Sequence, residues 1–528
     1  TTPDAYNPFT GGNTEDVANG DPTSGGDASE FSVDVSRNNK TRISGVDFKI
    51  SRGDLFSLPG GDVGAAFGIE QRRETYEDDR DPTLDGTITF TNPLTGEFFD
   101  SDIMGVSATP DTSGSREVYS AYAEFLVPLI GSHQDIPMVQ SLDAQFALRG
   151  ESYSDVDGEI LKPKVAISWR PADWLQVRSA WSKGFRAPNL ETLNLSVQER
   201  FNNNREDFLR CQAGQATGAA EGDVDACTTS IITRRLGNSE LEAEDSENLT
   251  FGVVIEPSFI EGLTVTMDWW QIEQEGVVGL FGRDNHLLLD QALRFSGSSN
   301  DAVVRSAANA QDQQEIDAYN AANGTSLSAV GDLLYIEDQF LNLQPREMQG
   351  ADLGVVYRIP EGDWGQWTVK FNAAYLIKWE QSASKEVNDL IAALDANPLI
   401  TGSVSSETIG SQIQDERKPR WRANANLTWS SDQWRAGLSA RYVGHVYDYD
   451  VEADEIPGKF LEIEEWLTFN TYVDYRIEGG SLDETRIRLG VNNLSDEEPP
   501  LFDSSAGYSA SLHSNRGRYV YLDLKKKF

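Results

Sequence analysis

Hydrophobic and polar residues alternate one for one over long stretches of this chain. From Trp367 the odd positions are Trp367, Val369, Phe371, Ala373, Tyr375 and Ile377, with Thr368, Lys370 and Asn372 between them. From Trp421 the apolar set is Trp421, Ala423, Ala425, Leu427 and Trp429, set against Arg422, Asn424, Asn426 and Thr428. From Trp434 the parity changes, and Ala436, Leu438, Ala440 and Tyr442 oppose Arg435, Ser439 and Arg441. Leu467, Phe469, Val473, Tyr475 and Ile477 stand against Asn470, Asp474 and Arg476, and Ile487, Leu489 and Val491 against Arg486, Arg488 and Asn492. A period of two predicts β-strands with one apolar and one polar face, because successive side chains leave a strand on opposite sides.

The connections alternate as well. Pro171-Ala172-Asp173, Glu361-Gly362-Asp363, Ser430-Ser431-Asp432 and Gly479-Gly480-Ser481 have the composition of tight turns. The remaining connections are expected to be long, about 15 to 70 residues, and to carry most of the acids; short turns on one side and long loops on the other are the layout of an outer-membrane barrel. Trp169, Trp174, Trp364, Trp367, Trp429, Trp434 and Trp466 gather near strand ends, where an interfacial girdle wants them. A soluble β-sandwich also alternates. It rarely places Arg and Lys repeatedly at the middle of the polar face, whereas a watery lumen favours them. The expected fold is therefore all-β, an antiparallel transmembrane β-barrel with its apolar face against outer-membrane lipid and lipopolysaccharide. Counting back from Phe528 gives about 15 strands, the first near Arg42–Ser51.

Composition changes this picture only at its edges. The chain has 528 residues, with 44 basic and 85 acidic side chains, for a net charge of −41. Nucleic-acid binding, which needs a basic footprint, is excluded. Mean hydropathy is −0.45, and no run of 18 apolar residues exists, so no transmembrane helix is encoded. Barrel strands escape that test, since each needs only about 9–11 residues with every second one apolar. The opening Thr-Thr-Pro-Asp-Ala-Tyr-Asn-Pro reads as loop and not as a signal peptide.

The stretch Gly184-Phe185-Arg186-Ala187-Pro188-Asn189-Leu190 closes an alternating strand and opens a polar loop. Pro188 removes a ladder donor and holds Ala187 extended, which ends a strand, so an architectural role is expected, with Arg186 paired within the barrel wall. At the other end, Val520, Leu522, Leu524 and Phe528 share one face and Tyr519, Tyr521 and Asp523 the other. The Gly184–Leu190 run resembles the strand-to-loop signature of TonB-dependent receptors, and the terminal aromatic resembles the signal read by the outer-membrane assembly machinery. Gly237-Asn238-Ser239-Glu240-Leu241-Glu242-Ala243-Glu244 is similar to that family's "GNPxLxPE" element with both prolines replaced. Leu489-Gly490-Val491-Asn492-Asn493-Leu494-Ser495-Asp496 is similar to its "GVxNLxD" element, and Gly53–Gly64 followed by Gly68-Ile69-Glu70 resembles a turn-and-strand block of its large members.

The resemblance implies a 22-stranded barrel filled by an N-terminal plug, in the outer membrane of a Gram-negative bacterium, with long loops extracellular. On the strand count, the plug and about seven strands are missing; residues 1–30 are expected in an extracellular loop and 31–528 in the barrel. The chain is then a fragment or one piece of a split receptor. The family imports scarce bulky ligands with energy from the TonB complex, which would engage the missing N-terminal region. Covalent chemistry and a cofactor are not implied. The alternative of a different class is a passive porin or a surface-binding barrel.

Ligand contacts are expected in loops and lumen. Tyr76, Phe98, Trp379, Tyr447 and Tyr449 could stack on sugar or catechol rings. Arg178, Lys370, Arg422, Asn424 and Arg441 would line the lumen and steer anions. The acidic exterior disfavours simple capture of anionic ferric siderophores, and an oligosaccharide is slightly favoured over siderophore or cobalamin. Cys211 and Cys227, the only cysteines, lie in one polar segment and are expected to form a disulfide. Leu287, Leu288, Ala292 and Leu293, then Val303, Val304, Ala307 and Ala308, have helical spacing and suggest short helices over the barrel mouth. The acidic runs at 77–81 and 448–455 read as solvated loop charge, with hard-cation binding as the lesser alternative. Two thiols and the scattered His133, His286, His445 and His513 supply no metal-site or nucleophile motif.

Overall fold

The computed structural model describes residues 33–527 apart from 97, 104, 159, 401, 403, 405–408, 416, 453–458 and 505. The 1–30 segment and Phe528 lie outside the described residues. Nineteen strands share one sheet. Four short ones (Gln198–Arg205, Thr229–Leu236, Val303–Arg305 and Gly410–Ser411) belong to loops. The other fifteen form the wall, as the alternation predicts: β1 Arg37–Leu58, β2 Gly61–Arg80, β3 Thr112–Ile130, β4 Ser141–Tyr153, β5 Ile160–Ala172, β6 Leu175–Arg186, β7 Glu244–Ile255, β8 Leu263–Leu280, β9 Leu333–Gly362, β10 Gly365–Gln381, β11 Trp421–Ser431, β12 Trp434–Val443, β13 Trp466–Ile477, β14 Thr485–Asn492 and β15 Tyr519–Lys526. Each pairs antiparallel with the next, from Phe48 opposite Ile69 in the first hairpin to Leu489 opposite Leu522 in the last. Among the described residues, β1 and β15 are not paired with each other.

The apolar parity faces outward. Ile69, Phe251, Met267, Leu438, Leu489 and Leu522 are exposed, a band that water would penalise and lipid would cover. Two aromatic levels bound it. Near the short turns Trp367 meets Trp429 at 6.3 Å and Trp434 meets Tyr475 at 4.7 Å, both rings tilted; higher up, Tyr375 meets Trp421 at 4.5 Å. From residue 367 to residue 375 a strand rises about 26 Å before tilt, which matches the height of a lipid-facing band. Strands as long as β9 continue far beyond it, into the extracellular mouth.

The expected short turns join β5 to β6, β9 to β10 and β11 to β12, while the long connections fall on the opposite rim. One departs from expectation: β4 ends at Tyr153 and β5 begins at Ile160, a short connection where a long loop is expected. The acidic run 77–81 is not free solvated charge throughout. Asp78 is buried and clasps Arg37 at 2.6 and 2.9 Å and Arg80 at 2.8 Å, fastening the outer ends of β1 and β2.

Candidate functional site

Among the described residues five α-helices lie in the outer loops: α1 Leu190–Asn194, α2 Phe208–Gln215, α3 Arg283–Phe295, α4 Ala310–Asn323 and α5 Lys385–Ala396. α3 carries Leu287, Leu288, Ala292 and Leu293 as the spacing predicts. Val303 and Val304 instead form a strand, Val303–Arg305, and the α4 helix begins only after Asn309, whose side chain accepts from the Gln311 and Asp312 backbones. A pair of β-branched residues cannot fix helix over strand, and here the neighbour decides: Val303 pairs with Ile336 at the outer end of β9. That same end pairs in parallel with Thr229–Leu236 (Thr233 opposite Ile336), which pairs in turn with Gln198–Arg205. A small sheet thus stands above the barrel mouth, with helices packed on it through Ile231, Leu287, Val303 and Ile336. A second apolar cluster joins Leu209, Ala213, Ile316 and Tyr319, and a third Leu288, Val387 and Leu390.

Buried charge ties this lid together. Arg305 binds Asp207 at 2.6 and 3.0 Å and approaches Asp290 at 3.4 Å; Arg294 meets Asp290 at 2.9 Å. Burial works against the Arg305 charge, but Asp207 and Asp290 more than offset it, and its pKa is raised. Arg210 binds Asp312 at 2.8 Å and also Asp332. The expected Cys211–Cys227 disulfide is formed, tying α2 to the segment leading into the small sheet.

Below the lid, the inward side chains run in rows fixed by strand register. Arg178 is opposite Gly252, Gly252 opposite Asp268, Asp268 opposite Asp352, Asp352 opposite Ala374 and Ala374 opposite Arg422. Gly252 leaves the space through which Arg178 reaches Asp268 at 2.8 Å; a Cβ there would sit 2.0 Å from Asp268 Oδ1. The adjacent row is Thr266, Gly354, Asn372, Asn424 and Arg441. Asn372 donates to Asn424 at 3.2 Å. Thr266, Asp352, Asn372, Arg422, Asn424 and Arg441 line one recess of about 450 Å³.

The structure therefore brings Arg422, Asn424 and Arg441 to one recess, with Lys370 on the same face one step towards the short turns. Arg178 is four strands from Asp352's neighbour β10 and is engaged with Asp268. Thr266, Asp352 and Asn372 also line the recess without being among the expected ligand contacts; all three lie on the polar parity, which was the available signal.

The aromatic candidates do not converge. Tyr76 lies on the inward parity between Thr41 and Gly114. Phe98 is exposed on a separate hairpin, Phe90–Thr91 with Phe98–Phe99. A register shift between β9 and β10 re-aims Trp379: above it Trp379 is opposite Met348, on the parity that faces the lumen lower down. Its indole N–H is buried without a partner among the described residues, and Lys418 sits 5.7 Å from the ring. Tyr447 follows His445, ring to ring at 5.7 Å, and donates its backbone N–H to Gln414 at 2.7 Å. Tyr449 is placed in the strand Val446–Glu452, but its side chain lies outside the described residues.

The Gly184–Leu190 stretch sits where β6 leaves the wall. Arg186 is 3.7 Å from Glu244 on β7, Phe185 meets Tyr153 edge-on at 6.2 Å, and the Pro188 carbonyl accepts from Arg116 at 2.7 Å. Ala187 is the first residue after β6, Asn189 precedes α1, and Leu190 is buried. Near the last loop, His513 is buried against Trp466 at 5.5 Å. Burial first, and Arg441 second, hold its pKa below the ordinary imidazole value.

An antiparallel wall with an outward apolar band, short turns on one rim and an ordered lid on the other defines an outer-membrane β-barrel. The sequence model of the family described as "TonB dependent receptor-like, beta-barrel" matches residues 2–494. The chain belongs to the TonB-dependent receptor family, whose members are Gram-negative outer-membrane proteins and not enzymes. Among solved structures it is similar to the siderophore receptor PirA of Acinetobacter baumannii, at 15% identity and TM-score 0.54, covering 92% of this chain and 55% of that one. It is also similar to the ferric enterobactin receptor PfeA of Pseudomonas aeruginosa, in a mutant form, at 16% identity and TM-score 0.55, covering 92% and 54%. The chain thus spans about half the length of these structures, and identities this low speak to fold alone. No curated protein matches the chain significantly.

Proposed function

We propose that this chain forms the wall and outer lid of a receptor that captures a bulky ligand at its extracellular mouth and passes it through the lumen with energy from the TonB complex. The observation that carries this reading is a polar lumen face, with a recess on it, beneath a lid held by buried ion pairs and a disulfide. A mere adhesin needs no such recess. In the whole protein, a plug preceding this wall would close the lumen and contact TonB. Arg422, Asn424 and Arg441 would hold ligand in transit, with Lys370 and Arg178 hydrating the path; Tyr76, Phe98, Trp379, Tyr447 and Tyr449 would contribute at the mouth. Oligosaccharides and ferric siderophores are the ligand classes to test.

The test is uptake by cells producing the complete receptor, with and without a functional TonB complex, using neutral and acidic oligosaccharides, ferric siderophores and cobalamin. Saturable uptake of one class that disappears without TonB is expected. Equal uptake in both strains, rising linearly with concentration, would establish the passive porin instead.

A further inference from the structure

Five arginines of the inner wall are held by carboxylates, and among the described residues Arg422 and Arg441 are not. Arg72 binds Glu74 at 2.7 Å, Arg116 binds Glu74 at 2.7 Å, Arg149 binds Glu151 at 2.5 Å, Arg178 binds Asp268, and Arg488 binds Asp474 at 2.5 Å. Among the described residues, neither Arg422 nor Arg441 has a carboxylate within ion-pair distance; Arg422 donates only to the Arg417 carbonyl, at 3.3 Å. Arg422 faces Val443 across the β11–β12 ladder, so Arg441, two residues along, is its diagonal neighbour on the same face. Two like charges at that spacing, about 7–8 Å, repel.

The rest of the recess has a different chemistry. Asn372 and Asn424 use one donor and one acceptor on each other and keep further amide valences for a guest. Asp352, on the far side, accepts from the Trp270 indole N–H at 3.1 Å through Oδ2; its other oxygen can accept a hydroxyl and would repel a second acid. Positive charge at one end and hydroxyl-binding groups at the other give the recess a polarity.

We propose that this recess binds a ligand carrying an acid group flanked by hydroxyls, its carboxylate held by Arg422 and Arg441 and its hydroxyls by Asn372, Asn424, Thr266 and Asp352. The guanidinium fork matches a planar carboxylate, and a volume of about 450 Å³ lies in the small-ligand range. A uronate-bearing oligosaccharide and a ferric hydroxycarboxylate chelate share this chemistry. The inference rests on the import reading for its biological meaning, but binding to the purified receptor can be measured without TonB, so the two can fail separately.

The experiment is equilibrium binding to the complete receptor in detergent, with oligogalacturonate, its methyl ester, ferric citrate and a neutral maltooligosaccharide as probes. At least one acid probe binds at least tenfold more tightly than the neutral ones, and which of them does so identifies the source. Arg422→Gln and Arg441→Gln each weaken that probe about tenfold or more, as loss of a charge-assisted hydrogen bond requires, while both variants keep the wild-type heat-resistant mobility of a folded barrel. A bound anion also screens Arg441, so the His513 imidazole titrates at higher pH in the complex. Equal binding of acid and ester, unchanged binding when Arg422→Gln and Arg441→Gln are combined, or binding of neither acid at about 1 mM would each overturn the proposal. TonB-dependent uptake of a neutral ligand alone would overturn it and leave the import reading standing.

Discussion

Arg305 and Asp207, 98 positions apart in the chain, meet through two parallel hydrogen bonds with their side chains 7% and 3% exposed. The pair joins the loop after β8 to the loop after β6, and so makes one lid from two excursions. Removing one member of a buried pair leaves the other charged and unpaired, at a cost of about 3–5 kcal/mol. Arg305→Ala is therefore expected to expose the lid: amides of α2 and of Val303–Arg305 should lose hydrogen-exchange protection by two or more orders of magnitude, with wall amides unaffected. Replacing both partners by apolar residues (Arg305→Met with Asp207→Leu) should cost less than the single change. If the double variant is as open as the single one, the pair is not what holds these loops together.

The Cys211–Cys227 bond constrains the same lid by a different route. A bridge between residues 16 apart limits the unfolded loop, and its loss should destabilise the lid by about 3 kcal/mol. The double Cys→Ser variant is expected to be cleaved faster by trypsin in segment 205–235 under native conditions, with the barrel's heat-resistant mobility retained. An unchanged cleavage rate would show that the neighbouring apolar cluster of Leu209, Ala213 and Ile316 suffices.

The wall was legible in the sequence, whereas of the lid only the Cys211–Cys227 bridge and the helix around Leu287–Leu293 were, for physical reasons. A strand declares its faces locally, because Ala423 and Arg422 must point opposite ways wherever the strand lies; turn residues such as Ser431 and Asp432 then mark where the chain reverses. The lid depends on partners far along the chain. Thr233 and Ile336 pair in parallel across 103 positions, and Arg305 selects Asp207 from 85 acidic residues by geometry alone. The candidate site falls between these cases. Its row of inward residues follows from parity, but the register that puts Asn424 between Asn372 and Arg441 depends on how β10, β11 and β12 align. Trp379 shows the limit, since one register shift turned it from the face that simple alternation assigns.

His513 should make the last outer loop sensitive to mild acid. Its folded pKa is depressed by burial and by Arg441, so the unfolded loop takes up a proton at higher pH than the folded one. The stability it permits is complete above the ordinary imidazole value of about 6.5 and declines as pH falls through that value towards the folded pKa. Amides of residues 509–513 are expected to lose hydrogen-exchange protection between pH 7.5 and 5.5, after correction for intrinsic rates. His513→Phe keeps an aromatic ring against Trp466 and should abolish that trend; persistence of the trend in this variant would assign it to another group.

On the inner wall, Tyr472 lies directly opposite Gly437, and its ring covers the glycine so closely that an added Cβ would sit 2.3 Å from Tyr472 Cε1. The same arrangement recurs where Tyr521 covers Gly490 and Tyr122 covers Gly68. Missing side chains on one strand thus make room for rings from the next. The Tyr472 ring also carries the Arg488 guanidinium at 3.9 Å, and Arg488 is held by Asp474. Gly437→Ala must push the ring away and break that stack, which should lower stability by about 1–3 kcal/mol. Loss of heat-resistant mobility at a lower temperature is the expected reading. Ser439→Ala, on the same face and strand, should change stability by less than about 0.5 kcal/mol. Pairing Gly437→Ala with Tyr472→Ala should restore part of the loss, because the clash is gone. If Gly437→Ala is as stable as the parent, the ring is free to leave, and the glycine serves some purpose other than clearance.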